Sequence, residues 1–319
     1  MKRFTSAEIR DFVSKANFDE KMILSKDPSW PKISIVTPSY NQGQFLERTI
    51  LSVLNQNYPN LEYIIIDGGS TDGSVEIIKK YEKYIAYWVS EKDSGQADAI
   101  NKGLRISTGQ ILAYLNSDDT YAPAALNNMV QYLTGHPDID AIYGICNIID
   151  ENDQIVNQWH PAEFDIRALV RSGISTIPQQ TVFFRRHILE KIGFLDTSLR
   201  HAMDYEYWIR TGKKFRVQKT PYVLANFRVH ERSKTSLESS GQWQESCRIS
   251  DMYSDENKFR WMVRYWNYKL SRLWPKFIKP LICARSGKER AIVLRPLSEL
   301  IRSSIWVTKQ RLKKKNFKQ

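Results

Sequence analysis

A chain of 319 residues, 42% of them apolar, has room for one large α/β domain plus an appendage, and its core needs no disulfide framework to hold it. Its three cysteines, Cys146, Cys247 and Cys283, are widely spaced and odd in number, which fits neither a disulfide scaffold nor a zinc cluster and points to a reducing compartment. The formal charge of +12 sits at one end: Lys258 to Gln319 carries 18 Lys and Arg against two acids, leaving 29 basic and 33 acidic residues before it, so no nucleic acid partner is expected.

Residues 1–30 read as a polar lead-in with one helix, since Thr5 and Glu8 have capping-box spacing ahead of Ile9, Phe12 and Val13. The stretch from Met1 to Lys15 lacks the apolar run of a signal peptide, and no segment reaches the roughly 18 to 20 apolar residues of a spanning helix. A cytoplasmic protein, at most peripheral to the membrane, is expected. From Pro31 short β-branched runs alternate with helical ones: Ile33–Thr37, Phe45–Leu54, Leu61–Ile66, Val75–Tyr84, Ala86–Val89, Ala97–Ile106 and Ile111–Leu115. Such alternation predicts an α/β fold with a mainly parallel central sheet flanked by helices.

After Asp119 the rhythm loosens into a mixed half. A helix over Ala124–Leu133 precedes strands at Ala141–Cys146, Gln154–Gln158 and Thr181–Phe184, a helix over Asp204–Thr211, and strands at Phe215–Gln218 and Val223–Phe227. Beyond Ser233 the chain turns polar, then helical, basic and tryptophan-rich, which sets a domain over 31–240 and a tail over 241–319.

In parallel α/β sheets ligands bind beyond the carboxyl ends of the strands. Those ends carry Thr37-Pro38-Ser39-Tyr40-Asn41, then Asp67-Gly68-Gly69-Ser70-Thr71-Asp72-Gly73-Ser74, then Asn116-Ser117-Asp118-Asp119. A nucleoside diphosphate offers hydroxyls that acids can bind and phosphates that need a cation, so this acid-rich rim implies a bridging metal. Asp118 and Asp119 supply hard oxygen ligands suited to Mg²⁺ or Mn²⁺. The alternative is that the pair caps the helix beginning near Pro123.

These segments, with Ser94-Gly95-Gln96-Ala97-Asp98-Ala99-Ile100-Asn101-Lys102-Gly103, resemble the inverting glycosyltransferases of family two, which have the GT-A fold, over about Lys32 to Ser236. The resemblance implies a nucleotide-sugar donor bound by Thr37, Pro38, Ser39, Tyr40, Asp67, Gln96, Asp98, Lys102 and Asp118. It implies a divalent metal held by Asp118 and Asp119, with His230 of the Phe227-Arg228-Val229-His230-Glu231-Arg232-Ser233 element as a further ligand. Asp204, in Asp204-Tyr205-Glu206-Tyr207-Trp208-Ile209-Arg210, matches the base that takes the acceptor's proton, with Glu206 next in line and capping as the bland alternative. Gln179 and Gln180, beside a strand, line the acceptor side or serve structure.

Two positions depart from the family's pattern. Asn116 stands where the metal motif often begins with aspartate, and Gly68 stands where a second acid often helps bind the base.

The tail repeats apolar residues at three- and four-residue steps, from Phe259 through Met262, Trp266, Leu270, Leu273 and Phe277, with basic residues elsewhere. A basic amphipathic helix of this kind suits an anionic membrane surface, or else packs on the domain. The combined expectation is transfer of one sugar to a saccharide or lipid-linked acceptor in surface polysaccharide or glycoconjugate assembly. A non-catalytic nucleotide-sugar-binding scaffold and a sugar-nucleotide pyrophosphorylase are the competing readings.

Overall fold

Successive side chains on a strand point to opposite faces, and β1 (Ile33–Ser39) and β2 (Leu61–Asp67) are buried along their whole length, so both faces need cover. A computed structural model, which describes residues 4–173, 175–231, 233 and 239–254, provides it. Ile33, Ile35, Tyr63 and Ile65 enter one core, shared with α3 (Gly43–Leu54), α4 (Ser74–Tyr81) and α6 (Ala125–Gly135). Val36, Ile64 and Ile66 enter another, shared with α5 (Gln96–Ile106), α7 (Ile166–Ser172), α8 (Arg186–Ile192) and α9 (Met203–Gly212). Helix α5 lies flush on β1 because Gly103 has no side chain: a Cβ there would stand 2.4 Å from Val36 Cγ1.

The remaining strands are β3 (Tyr87–Ser90), β4 (Ile111–Tyr114), β5 (Thr120–Tyr121), β6 (Ala141–Ile149), β7 (Ile155–Trp159), β8 (Phe183–Arg185) and β9 (Val217–Arg228). Among the described residues they form one sheet in the order β3-β2-β1-β4-β8-β6-β9-β5, with β7 hairpinned onto β6. Strands β1 to β4 are mutually parallel, with Ser34 opposite Glu62 and Leu112. Strand β8 runs antiparallel to both β4 and β6, and β5 antiparallel to β9, so the later half is mixed, as its looser rhythm predicts.

The two strands expected at 215–218 and 223–227 are one. Strand β9 crosses the intervening Pro221 by shifting register against β6 on either side of Ile145, an irregularity that accommodates a residue with no donor for the ladder.

The lead-in forms α1 (Ser6–Ser14) and α2 (Glu20–Ser25). The capping box is present, with Glu8 N–H donating to Thr5 Oγ1 at 3.2 Å and Thr5 N–H to Glu8 Oε2 at 2.8 Å. Asn55 at the end of α3 donates to the carbonyls of Phe12 and Lys15, which fastens the lead-in to the body. At the other end α10 (Ser239–Tyr253) buries Cys247 and Ile249 and contacts α7 and α9, so the compact unit continues past residue 240 to Ser254. The tail helices expected beyond it lie outside the described residues. Among those described, no helix is long and apolar enough to cross a membrane.

Glu62 is a buried charge inside this sheet. Ser34 Oγ, Thr108 Oγ1 and Thr108 N–H donate to it, and Lys32 Nζ lies 2.7 Å away. Burial pushes its carboxyl up, but the bonds from Lys32, Ser34 and Thr108 outweigh it and hold the group at about 2, against 4.5 ordinarily. A depressed folded value means that the stabilisation is fully present above about pH 4.5 and is lost as pH falls toward about 2. Glu62→Gln should therefore cost on the order of 3 kcal/mol at neutral pH and flatten the acid limb of stability between those limits. Urea unfolding at stepped pH measures both effects.

Candidate functional site

Because β1, β2 and β4 are parallel, the loops after them open on one edge of the sheet. Helix α3 sets the position of the third loop. Among its apolar residues Thr49 and Ser52 lie on the inner face, and Gln56 continues their spacing in the turn just past its end. Thr49 Oγ1 donates to the carbonyls of Ser117 (2.9 Å) and Asp119 (2.7 Å), and Ser52 Oγ accepts from Tyr121 N–H. Gln56 bonds the Ala122 carbonyl and the Leu126 N–H. Neither acid caps α6, whose N-cap is Ala124 with no side-chain cap bond.

Arg228 closes the loop from the other side. Wholly buried, it donates from Nε to the Asp118 carbonyl (2.8 Å) and from Nη1 to the Asp150 carbonyl (3.0 Å), while its N–H donates to Asp119 Oδ1 (2.9 Å). Asp153 in the β6–β7 turn pairs with it at 2.7 Å, out of line for a hydrogen bond, and the Phe45 ring lies under the guanidinium at 4.8 Å.

Two of the three expected metal residues, Asp118 and His230, meet here, with Asp119 next along the loop. His230 Nε2 is 3.1 Å from Asp118 Oδ2, with its ring against Phe45. That separation suits two neighbouring ligands of an octahedral ion, whose bonds of about 2.1 Å at right angles put donors about 3 Å apart. Asp119 is buried, and its Oδ2 has no hydrogen-bond partner. Burial, then the neighbouring Asp118 carboxylate, pushes its carboxyl well above the usual range, despite the opposing Arg228. A cation beside Oδ2 would satisfy that oxygen and offset the repulsion, so the residues fit a divalent ion. Among the described residues no group of three or more His, Cys, Asp or Glu forms a metal cage.

Asn116, at the position where the family often has aspartate, belongs to a chain of amides. Gln96 Nε2 donates to Asn116 Oδ1 (2.7 Å), Asn116 Nδ2 to Gln179 Oε1 (3.4 Å), and Gln179 Nε2 to the Tyr114 carbonyl (2.8 Å). Gln96, expected on the donor side, and Gln179, expected on the acceptor side, are thus joined through the head of the acidic motif. Gln180 points away from it and donates to Cys146 Sγ in the interior.

Asp67 is fully buried and accepts from the N–H groups of Gly69 and Ser70 and from the hydroxyls of Ser70 and Ser90. Its carboxylate therefore shapes its own loop. Gly68 lies between Tyr40, 63% exposed, and Asp93: a Cβ there would stand 2.7 Å from Asp93 Oδ2 and 3.2 Å from the Tyr40 ring. Asp93 takes up the space where a second acid's side chain would begin, a substitution visible only in three dimensions. Thr37 Oγ1 lies 3.1 Å from the Tyr63 hydroxyl, and Ser39 Oγ is buried with no hydrogen-bond partner. Pro38 lies buried on β1 opposite Ile66. Asp98 accepts from Ser94 N–H, and Lys102 is paired with Glu91 at 2.8 Å, which raises its ammonium.

Asp204 stands in the first turn of α9, whose N-cap, Ala202, makes no side-chain cap bond. Its charge acts on Tyr114 at the end of β4: burial first, then Asp204, drives that phenol well above its ordinary value. Glu206 is engaged elsewhere, bonded by Arg210 Nε at 2.7 Å and the Tyr253 hydroxyl at 2.6 Å.

Solved structures share this architecture. TarS of S. aureus, in complex with UDP-GlcNAc, superposes with a TM-score of 0.57 at 18% identity over 72% of this chain and 69% of its own. A Pyrobaculum calidifontis mannosyltransferase, in complex with GDP-Man and Mn²⁺, does so at 0.56 and 18% over 95% and 86%. The fold is that of a GT-A-type transferase domain. An uncharacterised glycosyltransferase of Mycobacterium tuberculosis is 33% identical over 186 residues, 58% of this chain and 70% of that protein. The putative teichuronic acid biosynthesis glycosyltransferase TuaG of Bacillus subtilis is 28% identical over 246 residues, 74% of this chain and 92% of its own. Residues 34–193 match the glycosyl transferase family 2 domain, and the chain belongs to that family: it is a glycosyltransferase.

Arg228 offers the sharpest test of how the site is held. Arg228→Met leaves Asp153 with Arg48 as its remaining cation, at 3.1 Å, and the Asp118 and Asp150 carbonyls without their donor, which should cost on the order of 3 kcal/mol in urea unfolding. Arg228→Lys should not recover it, because an ammonium cannot span the same acceptors.

Proposed function

We propose that this enzyme moves a sugar, with inversion, from a nucleoside diphosphate sugar to a hydroxyl of a glycan or lipid-linked saccharide in surface polysaccharide or glycoconjugate assembly. The observation that carries the proposal is one strand edge that gathers the partly exposed Asp118, the buried Asp119 with its unpartnered Oδ2, and Asp204 within electrostatic reach of the same strand end. The pair carries negative charge that its surroundings do not fully offset, as a divalent cation bridging to a diphosphate would.

In this reading Asp118, Asp119 and His230 hold Mn²⁺ or Mg²⁺, which when bound offsets the negative charge of the leaving diphosphate. Thr37, Pro38, Ser39 and Tyr40 line the base and ribose, and Gln96 and Gln179 orient the sugars. Asp204 takes the acceptor's proton while its oxygen bonds the anomeric carbon and the bond to the diphosphate breaks on the opposite face. Glu206 is a poor rival, since Arg210 and Tyr253 already occupy it. UDP-GlcNAc and GDP-Man in the neighbouring structures support the donor class, and the printed role of TuaG supports the acceptor class.

Two measurements test this together. Asp118→Ala and Asp119→Ala should each weaken binding of UDP or GDP in the presence of Mn²⁺; unchanged calorimetry for both would remove the metal assignment. Asp204→Asn should bind nucleotide normally yet turn over roughly 10²- to 10⁴-fold more slowly, the usual contribution of a positioned base.

The basic segment 258–319 is read as an anchor on anionic membrane, where apolar burial and about 1 kcal/mol per basic residue near the surface act together. Co-sedimentation of the full chain with anionic liposomes, lost in a chain ending at Ser254, is the expected outcome. Equal sedimentation of both would refute it.

A further inference from the structure

Helix α9 carries Asp204 in its first turn. Its N-cap is an alanine, and the residues leading in, Arg200, His201 and Ala202, turn three successive N–H groups toward one point. Consecutive amides aimed together form a concavity that favours an anion. Glu245 fills it from α10: Oε1 accepts from Arg200 N–H at 3.0 Å, and Oε2 from His201 N–H at 2.6 Å and Ala202 N–H at 2.7 Å. Those three bonds hold the Glu245 carboxyl below its ordinary value despite burial.

Other contacts keep α10 in place against α9 and its neighbours. Gly241 lies against His201, where a Cβ would stand 3.0 Å from Nε2. Ser250 Oγ donates to the Val170 carbonyl at 2.5 Å, and the Tyr253 hydroxyl donates to Glu206 on α9 itself. The family match ends at residue 193, before both α9 and α10.

We infer that Glu245 is a positioning residue for Asp204: its carboxylate fixes the entry to α9 and thereby the place and direction of the carboxylate two residues beyond Ala202. The inference rests on the reading of Asp204 as the base. Both Glu245 oxygens are in use, and glutamine, of the same shape, has only one acceptor and would turn an NH₂ group toward a donor. A displacement of the order of 1 Å at the reacting group is enough to slow an enzyme severely.

The test compares Glu245→Gln, Glu245→Asp and Asp204→Asn with the wild type, using calorimetric binding of UDP and GDP with Mn²⁺ and turnover of the best donor from a panel of UDP- and GDP-sugars. Glu245→Gln is expected to bind nucleotide with wild-type stoichiometry and affinity. Its kcat should fall roughly 10- to 100-fold, and hydrogen exchange should rise at residues 200–202. Glu245→Asp, which keeps the charge on a shorter arm, should fall between, and carries the comparison if the glutamine variant binds nucleotide substoichiometrically. Wild-type kcat in Glu245→Gln beside a disabled Asp204→Asn overturns the inference and spares the base. A matching loss of nucleotide affinity also overturns it, because that marks general damage. Normal turnover in Asp204→Asn removes both.

Discussion

The site depends on one buried guanidinium. Arg228 ends the last strand of the sheet, and through it the acidic loop after β4, the turn between β6 and β7 and the ring of Phe45 on α3 are held to a common point. A buried charge is a poor source of net stability but a strict source of geometry, since every partner must be in place for it to be tolerated. The planar fork suits this work: it reaches two carbonyls and a carboxylate in different directions at once. With Thr49 gripping the same loop from beneath, the Asp118-Asp119 backbone is fixed before any ligand arrives.

That arrangement leaves the rim electrostatically unfinished. Asp119 is buried beside Asp118, and the cations that the motifs supply are already engaged, Arg228 with Asp153 and Lys102 with Glu91. Burial and the neighbouring Asp118 make an ionised Asp119 locally costly, a cost that protonation or a bound cation would relieve, and active sites commonly retain such costs because the ligand that removes them is thereby bound more tightly.

Much of this was legible in the sequence, because strand ends in a parallel sheet are fixed by hydrophobic period and the polar residues that follow must share an edge. The acidic motif, the capping box at Thr5 and the mixed character of the later half all follow from local pattern. What local pattern does not carry is contact across the fold. Asp93 beside Gly68, Glu245 beneath α9 and the single strand across Pro221 each depend on residues distant in sequence or on a register shift. The polar stripe Thr49, Ser52 and Gln56 left a readable trace, since three polar residues at helical spacing within a buried face need partners. Gln180 and Gln179 are adjacent and chemically identical, and only the fold separates the one bonded to Cys146 from the one bonded to the site.

Asn116 shows how a departure from a family pattern acquires a physical reason. The parallel half of the sheet brings Gln96 to the loop after β4, and the mixed half brings Gln179. A carboxylate between them accepts from Gln96 but has no proton to offer the Gln179 oxygen, whereas an amide does both. Asparagine thus lets one side chain connect α5 to the turn before β8 that carries Gln179. It also removes a third negative charge from a loop where Asp118 already drives Asp119 upward. The loop after β4 thus has one acid fewer and gains a hydrogen-bonded link between α5 and the Gln179 turn.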